Sequence, residues 1–525
     1  MKPKSYRCGG SRPLAPEASF WSHEWFGLRC HWIAGFLLCV ALSHAAQIRP
    51  AVLDEIIERH RIDLDVPGVA VAIVHGNETV YIKGFGIKRV GEADPVTPDT
   101  RFAICSTTKS FTTAAMAILV DDGKMAWDDP VRKHIPYFKL SDPLADANVT
   151  MRDIVCHRTG FIGPDILYEG SFLSREEITR KVGLLPLSRP FRSEYLYSNT
   201  MFIVAGEAIG RIAGTTWEDF VTRRLLEPLG MTNTDFRVTD AIKSPDHATP
   251  HVRRGEKMEA VNWRNLDTAA PAGGINSSVR DLTRWLRLHL NGGVFEGKVV
   301  IKEATLRETH APQMLYRNPR NAINEGPHMT ATGLGWNMQD YRGHFTVFHP
   351  GASIGFTSGI VLVPDERYGI AILCNFSGGV PEFPAVLRSA LLDELLGLTP
   401  KDRVTVVLRQ RRDAAEQAKK RGEEREQKRR KDTSPSLAMN NYVGIYEEAV
   451  FGVAEVRESF GKLEMHWNNW RLPLEHYEDD TYRTSRDSPL GELHIYFQIS
   501  KDRTVESFRF WQRSFARLPT KPRTE

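Results

Sequence analysis

The stretch Ala103-Ile104-Cys105-Ser106-Thr107-Thr108-Lys109-Ser110 opens a run of small and apolar residues that recur at three- and four-residue steps. This periodicity predicts a helix that starts near Ser106 and ends near Asp122-Gly123, where glycine suits a left-handed cap. Because residues three apart are neighbours on a helix, the Lys109 amine is expected one turn from the Ser106 hydroxyl. A desolvated lysine can be the base that a serine nucleophile requires. In isolation, the pattern fits a capping serine and a surface lysine better.

A second motif, Tyr197-Ser198-Asn199, precedes a predicted helix from about Thr200 to Ala213. In an extended segment, residues two apart point to the same side, so the phenol and the amide can face one site. A phenol near a cation can move a proton between a nucleophile and a leaving group. The amide can hold a substrate carbonyl and the Lys109 amine. Taken alone, these residues are more typical of a turn before a helix.

The third motif, His349-Pro350-Gly351-Ala352, ends a predicted strand that begins at Phe345. Gly351 would let a substrate lie against the strand edge. The Ala352 N–H could join the Ser106 N–H, at the start of the predicted helix, as a second donor to an oxyanion. His349 could hydrogen-bond Tyr197 or the substrate. A lone His-Pro-Gly is usually only a turn.

The order and spacing of the three motifs are specific. On these residues the chain resembles the serine β-lactamase and penicillin-binding superfamily, nearest the class C β-lactamase-like hydrolases. The signature of that family is Ser-x-x-Lys, then Tyr-x-Asn, then Lys-Thr-Gly or His-x-Gly. Further matches fall in the same order over residues 50–398: Trp127-Asp128-Asp129-Pro130-Val131, the His157–Gly160 turn, Pro228-Leu229-Gly230-Met231, Pro271-Ala272-Gly273-Gly274 and Gly333-Leu334-Gly335-Trp336.

The resemblance implies an acyl-enzyme mechanism that needs no metal or organic cofactor. The serine would attack a carbonyl, the lysine and tyrosine would form the base system, two backbone N–H groups would hold the oxyanion, and water would release the acyl group. The implied catalytic residues are Ser106, Lys109, Tyr197 and His349, and the implied substrate-binding residues are Asn199, Gly351 and Ala352. The implied fold is α/β (α+β), an antiparallel sheet flanked by helices and paired with a mostly helical lobe.

One departure from the family's pattern concerns the substrate. His349 stands where β-lactamases usually carry the lysine of Lys-Thr-Gly. An imidazole with a pKa near ~6.5 is mostly neutral at pH 7 and anchors a substrate carboxylate less well than an ammonium does. This argues against efficient hydrolysis of penicillins or cephalosporins. Members that resemble D-aminopeptidases and esterases carry His-x-Gly, and several of them also carry a β-barrel after the catalytic unit.

The first 45 residues have the three-part pattern of a secretory signal peptide. A basic, Trp-rich lead is followed by an apolar run from Trp32 to Leu42 and by the small residues of Ser43-His44-Ala45-Ala46. The run is too short for a comfortable transmembrane helix. We therefore expect an exported protein, secreted or periplasmic. An uncleaved membrane anchor and an over-called start codon remain open.

The composition of the chain is ordinary. Its 525 residues carry a formal net charge of +4, which gives no reason to expect a nucleic-acid partner, and the length favours two domains. Outside the leader, Cys105, Cys156 and Cys374 are widely spaced in apolar contexts and are expected to be buried thiols. With neither a CxxC pair nor an HExxH pattern, we expect no metal site. The expected partner is a small amide or ester or a short peptide, and the oligomeric state is open. The pocket walls are expected to come from loops such as Gly163–Gly170 and Arg317–His328, whose conformation the sequence does not fix.

From residue 46 to residue 400, strand patterns at both ends flank helical patterns, which favours an antiparallel sheet flanked by helices. The strand patterns are Gly68–His75, Thr79–Tyr81, Gly333–Asn337, Phe345–His349, Gly355–Val363 and Gly369–Cys374. The helical patterns include Ile48–Arg61, Trp217–Leu229, one segment from Ala272 through Leu290, and Pro384–Leu396.

The remaining chain divides into a charged segment and a β-rich segment. Residues 401–437 have almost no apolar side chains after Leu408 and are interpreted as a solvated helical spacer or a disordered linker. Residues 438–525 contain short alternating runs such as Leu463–Trp467 and Val505–Phe510, which predict a small all-β barrel or sandwich. Two roles for this domain stay open, one that shapes or covers the cleft and one that only adds stability or spacing.

Three functions are compatible with these residues. The first is an exported serine hydrolase that acts on a small amide or ester, including D-amino-acid peptides. The second is a non-catalytic protein that uses the cleft to bind a ligand or the fold for assembly. The third is a penicillin-binding carboxypeptidase, which the missing Lys-Thr-Gly lysine disfavours. The completeness of the candidate site favours the enzyme that acts on amides or esters.

Overall fold

The computed structural model describes residues 48–316, 326–378, 382–485, 488 and 490–519. The predicted signal peptide of residues 1–45 lies outside the described residues, as do residues 317–325 of the predicted loop Arg317–His328. Among the described residues, no helix combines the length and the apolar character that a membrane span requires.

The helices are α1 (Pro50–Asp63), α2 (Thr108–Asp121), α3 (Val131–His134), α4 (Pro143–Asn148), α5 (Met151–Val155), α6 (Arg175–Lys181), α7 (Asn199–Ala213), α8 (Trp217–Val221), α9 (Glu227–Leu229), α10 (Val238–Ala241), α11 (Ala270–Gly273), α12 (Val279–Leu290), α13 (Glu303–Thr309), α14 (Glu382–Leu395) and α15 (Arg403–Lys428).

The strands of the first domain are β1 (Gly68–His75), β2 (Glu78–Gly86), β3 (Phe102–Ala103), β4 (His251–Arg254), β5 (Lys257–Ala260), β6 (Asn276–Ser277), β7 (Val294–Phe295), β8 (Lys298–Val299), β9 (Met314–Leu315), β10 (Thr330–Thr332), β11 (Asn337–Tyr341), β12 (His344–Ser353), β13 (Phe356–Val363), β14 (Tyr368–Cys374) and β15 (Phe376–Ser377). The strands of the second are β16 (Gly444–Glu448), β17 (Gly452–Ser459), β18 (Lys462–Trp467), β19 (Trp470–Glu478), β20 (Thr481–Thr484), β21 (His494–Ile499), β22 (Val505–Phe510) and β23 (Arg513–Arg517).

The main sheet is antiparallel and, over the described residues, has eight strands in the order β2-β1-β14-β13-β12-β11-β10-β9. The two predicted strands Gly68–His75 and Thr79–Tyr81 are confirmed as β1 and part of β2, which form a hairpin with its turn at Gly76-Asn77. Alternate residues of β1 belong to two apolar clusters, one shared with α1 and α14 and the other with α2 and α12. Because helices cover both of its faces, β1 is apolar along its whole length, as Gly68–His75 shows in the sequence.

Helix α2 runs through the interior, between the sheet and the helical lobe. All of its residues from Thr108 to Leu119 are buried, and its neighbours include α7, α11 and α13. Its buried hydroxyl groups bond to backbone carbonyls, as Thr112 does to Pro271 at 2.7 Å. This packing explains the small residues of the opening stretch. As predicted, the helix gives way to a glycine, Gly123, with a positive φ of 69°.

Two of the sequence interpretations were wrong. The predicted strand Gly333–Asn337 is a turn between β10 and β11, closed by a hydrogen bond from the Gly333 N–H to the Trp336 carbonyl at 2.7 Å. Gly335 has a φ of 72° within it, which an extended strand does not allow. The predicted single helical segment from Ala272 to Leu290 is two helices, α11 and α12, separated by β6.

The second domain is a barrel rather than a sandwich. Its strands β16 to β23 follow one another around the barrel, and the pairing of β16 with β23 closes it. Aromatic side chains pack inside it, among them Tyr446, Trp467, Phe497, Phe508 and Phe515. The buried apolar residues of the barrel and of the first domain belong to one connected cluster. The two domains therefore share a packed boundary.

The charged segment before the barrel contains the helix α15, which has no buried residue. Ion pairs hold its first half to the first domain: Arg403 binds Asp393 and Arg411 binds Glu382, each at 2.7 Å. The three cysteines of the described chain, Cys105, Cys156 and Cys374, are free and buried, which confirms that expectation.

We expect Gly206→Ala to destabilise the protein because α7 and α11 touch at this residue. A Cβ at Gly206 would lie 2.1 Å from Pro271 Cγ, so the helices would have to separate. Overpacking of this kind costs about 1–3 kcal/mol in free energy of unfolding. The matched control is Gly422→Ala in α15, where a Cβ meets no atom within 4 Å. Thermal unfolding should show a lower midpoint for the first variant only; equal midpoints would contradict the close contact.

Candidate active site

Ser106 lies in a tight turn, Cys105–Thr107, that leads into α2. Cys105 adopts a positive φ of 51°, a conformation that costs a non-glycine residue about 1–3 kcal/mol. A hydrogen bond from the sheet holds the turn in place: the Ser358 hydroxyl of β13 donates to the Ile104 carbonyl at 2.6 Å. Burial raises the pKa of the Cys105 thiol to about 12, so this cysteine stays protonated and Ser106 is the nucleophile candidate.

The Lys109 amine is the most enclosed polar group of the site. Its Nζ lies 3.4 Å from Ser106 Oγ, 2.7 Å from Asn199 Oδ1 and 2.6 Å from the Ala272 carbonyl oxygen. Burial lowers its pKa from 10.5 to about 7, although the nearby negative charge of Asp165 opposes this shift. A substantial fraction of the amine is therefore neutral at pH 7 and able to accept a proton.

Tyr197 lies beside both groups. Its hydroxyl is hydrogen-bonded with Ser106, and its ring centroid is 4.7 Å from Lys109 Nζ. Burial raises the pKa of the phenol, and the bond to Ser106 works in the opposite direction. The ring packs against the imidazole of His157, with centroids 4.4 Å apart. The phenol is thus held protonated, between the serine and the lysine.

His157 is a residue of the site that the sequence analysis did not assign a role. Its Nδ1 accepts a hydrogen bond from the Ser198 N–H at 3.1 Å, which orients the Tyr197-Ser198-Asn199 segment. Burial holds the pKa of this imidazole well below 6.5, and the Lys109 charge lowers it further. Among the described residues its buried Nε2 has no hydrogen-bond partner. The only sequence signal for it was its place in the His157–Gly160 turn.

Asn199 is the first residue of α7 and joins two sides of the site. Its Oδ1 accepts from Lys109, and its Nδ2 donates to Asp165 Oδ1 at 3.3 Å. Ser198 caps the helix by accepting a hydrogen bond from the Met201 N–H. The expected contact of Asn199 with Lys109 is therefore present.

The strand β12 passes directly beside the Ser106 turn. Gly351 is opposite Ser358 in β13, and a Cβ on it would lie 2.2 Å from Ser358 Oγ and 2.5 Å from the Ile104 carbonyl oxygen. Glycine is therefore required by the close approach of strand and turn. Ala352, the next residue, lines the cavity at Ser106. Its backbone therefore borders the same cavity as Ser106, and its role as an oxyanion donor stays a prediction.

His349 is buried at the same strand, with Nδ1 2.7 Å from the Pro350 carbonyl oxygen. Burial, and then the Lys109 charge, lower its pKa to about 3, so the ring is neutral at pH 7. The hydrogen bonds found in the described chain do not join it to Tyr197. The hydrogen bond found for His349 joins its Nδ1 to the carbonyl oxygen of Pro350, the next residue of the same strand.

A cavity of about 100 Å³ opens at Ser106. Besides the predicted residues Ser106, Asn199 and Ala352, its lining includes Asp165, Tyr168, Glu169, Arg264 and Gly273. The Tyr168 hydroxyl donates to Asp165, and Arg264 forms an ion pair with Glu169. Asp165, Tyr168 and Glu169 belong to the loop Gly163–Gly170, which the sequence analysis expected as a pocket wall without assigning roles to its residues; Arg264 was not identified. The described part of the chain contains no cluster of three or more metal-ligating side chains.

Comparison with family models gives two matches. The model described as Beta-lactamase matches residues 53–394, and one described as a domain of unknown function (DUF3471) matches residues 428–520.

The curated relatives align with the first domain. An unguisins hydrolase of Aspergillus violaceofuscus is 29% identical over 364 residues, which cover 64% of this chain and 63% of the relative. That of Aspergillus campestris is 31% identical over 362 residues, 64% of each chain. Protein flp of Staphylococcus aureus is 28% identical over 351 residues, 65% of this chain and 66% of the relative. The chain thus spans just under two thirds of the length of each of these relatives.

Solved structures share the fold. The octameric penicillin-binding protein homologue from Pyrococcus abyssi superposes with a TM-score of 0.59 at 22% identity, covering 89% of this chain and 100% of that chain. SurE superposes with a TM-score of 0.53 at 21% identity, covering 89% and 98%. At these identities the likeness shows the fold alone.

We expect the reactivity of Ser106 towards a fluorophosphonate to rise with pH, with a midpoint near the Lys109 pKa of about 7, because the neutral amine is the base. Asp165→Asn should move this midpoint to lower pH, because loss of the negative charge destabilises the ammonium. The control Asp94→Asn removes a carboxylate bound to Lys88 and should leave the midpoint unchanged. Labelling rates measured from pH 5 to about pH 11 decide this; a midpoint near 10 would contradict the perturbed lysine.

Proposed function

Because the chain belongs to the β-lactamase family, we propose that it is a serine hydrolase that acts on a small amide or ester through an acyl-enzyme intermediate. One observation carries the proposal. Lys109 Nζ lies 3.4 Å from Ser106 Oγ in a buried setting that lowers the lysine pKa to about 7. A lysine with no catalytic task gains nothing from such a position, since its ammonium is destabilised there.

In the proposed acylation, neutral Lys109 accepts the Ser106 proton while Oγ attacks the substrate carbonyl carbon. The N–H groups of Ser106 and Ala352 would stabilise the oxyanion. Tyr197, hydrogen-bonded to the serine, would pass a proton to the leaving nitrogen or oxygen as the carbon–heteroatom bond breaks. Water then attacks the carbonyl carbon of the Ser106 ester, and Lys109 and Tyr197 accept a proton from this water. They return a proton to Ser106 Oγ as the ester bond breaks, and a carboxylic acid leaves.

The charges of the cavity favour a neutral or cationic acyl group. His349 is neutral, so the third motif offers no ammonium to a substrate carboxylate. Asp165 is exposed at the cavity, where it accepts hydrogen bonds from Tyr168 and Asn199. An ammonium close to the scissile carbonyl would interact favourably with this carboxylate. Aminopeptidase or esterase activity is therefore favoured over β-lactam hydrolysis.

Two of the comparisons support a hydrolase and a D-amino-acid ligand. The Aspergillus relatives are named as hydrolases of unguisins, and SurE has been crystallised with D-Leu. We infer that the substrate is an amide or ester of a small acyl group, D-aminoacyl compounds included.

Intact mass after treatment with a fluorophosphonate tests the nucleophile. We expect one adduct on the wild type and none on Ser106→Ala or Lys109→Ala, with hydrolysis reduced on the order of 10³-fold or more in both. The matched control is Ser110→Ala, which removes a buried hydroxyl that donates to the Thr107 carbonyl; it should keep the adduct. A folded wild type without any adduct would favour the non-catalytic, ligand-binding alternative.

Three p-nitroanilides test the charge preference: D-alanine, its N-acetyl form and its N-succinyl form. We expect kcat/KM to fall in that order, by about tenfold between the first two, which corresponds to ~1.4 kcal/mol of charge interaction. Asp165→Asn should narrow this ratio. Because each ratio is taken within one variant, any change in the Lys109 pKa cancels. A preference for the succinyl compound would contradict the proposed role of Asp165.

A further inference from the structure

The turn between β18 and β19 of the barrel touches the loop that lines the Ser106 cavity. The Asn469 N–H of this turn donates to the Gly170 carbonyl at 3.0 Å. The indole of Trp470 lies directly on the Cα of Gly170, because a Cβ there would be 2.5 Å from Trp470 Nε1 and 2.6 Å from Cε2. Gly170 also has a positive φ of 62°. The loop is therefore shaped to receive the indole.

On its other side, the same loop forms a wall of the cavity. Tyr168 and Glu169, the two residues before Gly170, line it together with Asp165. The Tyr168 hydroxyl donates to Asp165, which accepts from Asn199, and Asn199 in turn accepts from Lys109. An unbroken series of contacts thus runs from the barrel to the base of the site.

The Glu169–Arg264 ion pair forms a second connection between this loop and the rest of the cavity wall. Burial lowers the pKa of Arg264, and the nearby charge of Asp165 opposes this shift. A displacement of Gly170 would move Glu169, the adjacent residue, and would leave that cation without its partner. The position of Gly170 therefore decides the charge distribution of the wall.

The barrel is a rigid base for this contact. Trp467, which pairs with Trp470 across the turn, is buried in the aromatic core and donates from Nε1 to the Phe451 carbonyl at 3.0 Å. Trp470 Nε1, by contrast, is buried without a hydrogen-bond partner among the described residues. The contribution of this second indole is therefore packing against the loop.

We propose that Trp470 and Asn469 of the barrel are positioning residues that hold the loop Asp165–Gly170 in place and so determine which acyl groups fit the Ser106 cavity. This assigns the barrel a role in substrate selection. The alternative role, stability or spacing alone, would need no contact between the barrel and a wall of the cavity. The selection of acyl groups rests on the proposed hydrolase function; the ordering of the loop does not.

Hydrogen–deuterium exchange of the loop tests the ordering directly. Trp470→Ala should raise exchange of the amides of residues 165–170 at least about tenfold, because the packing that holds Gly170 is lost. Trp470→Phe should raise this exchange less than Trp470→Ala does, because the phenyl ring keeps part of the packing and the indole N–H has no partner to lose. The matched control Trp511→Ala removes a partly exposed indole at the β22–β23 turn and should leave the loop unchanged.

Peptides from β16 to β23 report in the same experiment whether the barrel stays folded. If Trp470→Ala unfolds the barrel, the Gly170→Ala variant tests the same contact from the loop side. Its Cβ would displace the indole of Trp470, so exchange of the loop amides should rise in this variant as well. Where Trp470→Ala stays folded, adding Gly170→Ala to it should raise loop exchange less than adding Gly170→Ala to the wild type does. Wild-type loop exchange in a folded Trp470→Ala or Gly170→Ala variant overturns the proposal.

The kinetic arm uses the ester and anilide substrates. Trp470→Ala should raise KM at least about tenfold for the bulkiest acyl group accepted, while kcat for the smallest ester changes less than about threefold. Trp470→Phe should give a KM between those of the wild type and Trp470→Ala, and Trp511→Ala should leave KM unchanged. If loop exchange increases in Trp470→Ala but the KM values for the different acyl groups stay as in the wild type, the role of the barrel in substrate selection is overturned. Absence of a fluorophosphonate adduct on the wild type would overturn the hydrolase function. The proposal that Trp470 and Asn469 order the loop would then be tested by the amide exchange of the loop alone.

Discussion

The enclosure of the Lys109 amine is the constraint on which the rest of the site depends. Removing an ammonium from water is costly, and the structure offsets this cost with the Asn199 and Ala272 oxygens, at 2.7 and 2.6 Å. To present these acceptors, the ends of α7 and α11 must meet α2 closely. The contact of Gly206 with Pro271 brings the two helices to that distance. Base strength and helix packing are therefore set by the same few contacts.

The buried lysine also determines the state of its aromatic neighbours. His157 and His349 both have lowered pKa values, from burial first and then from the Lys109 charge, and both are neutral at pH 7. The site thus concentrates its titration near neutral pH in one amine, with the Asp165 carboxylate as the opposing charge. In the proposed mechanism, this separation would let the lysine exchange protons with the serine while the imidazoles keep fixed hydrogen-bonding roles.

The sequence predicted the parts of the fold that have strong local signals. Periodicity located α2 and β1, and the Ser106–Lys109 spacing placed the two groups within 3.4 Å. The strand prediction failed at Gly333–Asn337, because this apolar run forms a turn. Gly335 is required there, since a Cβ would lie 2.7 Å from the Lys109 carbonyl oxygen of α2. The sequence analysis predicted the loop Gly163–Gly170 as a pocket wall but gave Asp165 no role within it, and it missed Arg264; both residues reach the cavity from loops. Their positions depend on contacts made far along the chain, and residue periodicity carries no record of such contacts.

The loop from Asp165 to Gly170 shows why a second domain can matter to a small active site. The loop consists of the short turn Asp165–Leu167 and a second turn after it, and the N–H groups of Leu167, Tyr168 and Glu169 bond to carbonyls of residues 164 and 165. These local bonds shape the loop but do not hold it against the rest of the site. It must nevertheless carry a carboxylate and an ion pair at fixed distances from Lys109 and Ser106. Packing from outside can supply the missing constraint, and the turn of the barrel at Trp470 lies against the loop where the loop turns away from the cavity. Variation of that turn would then alter the cavity wall without changing the catalytic residues.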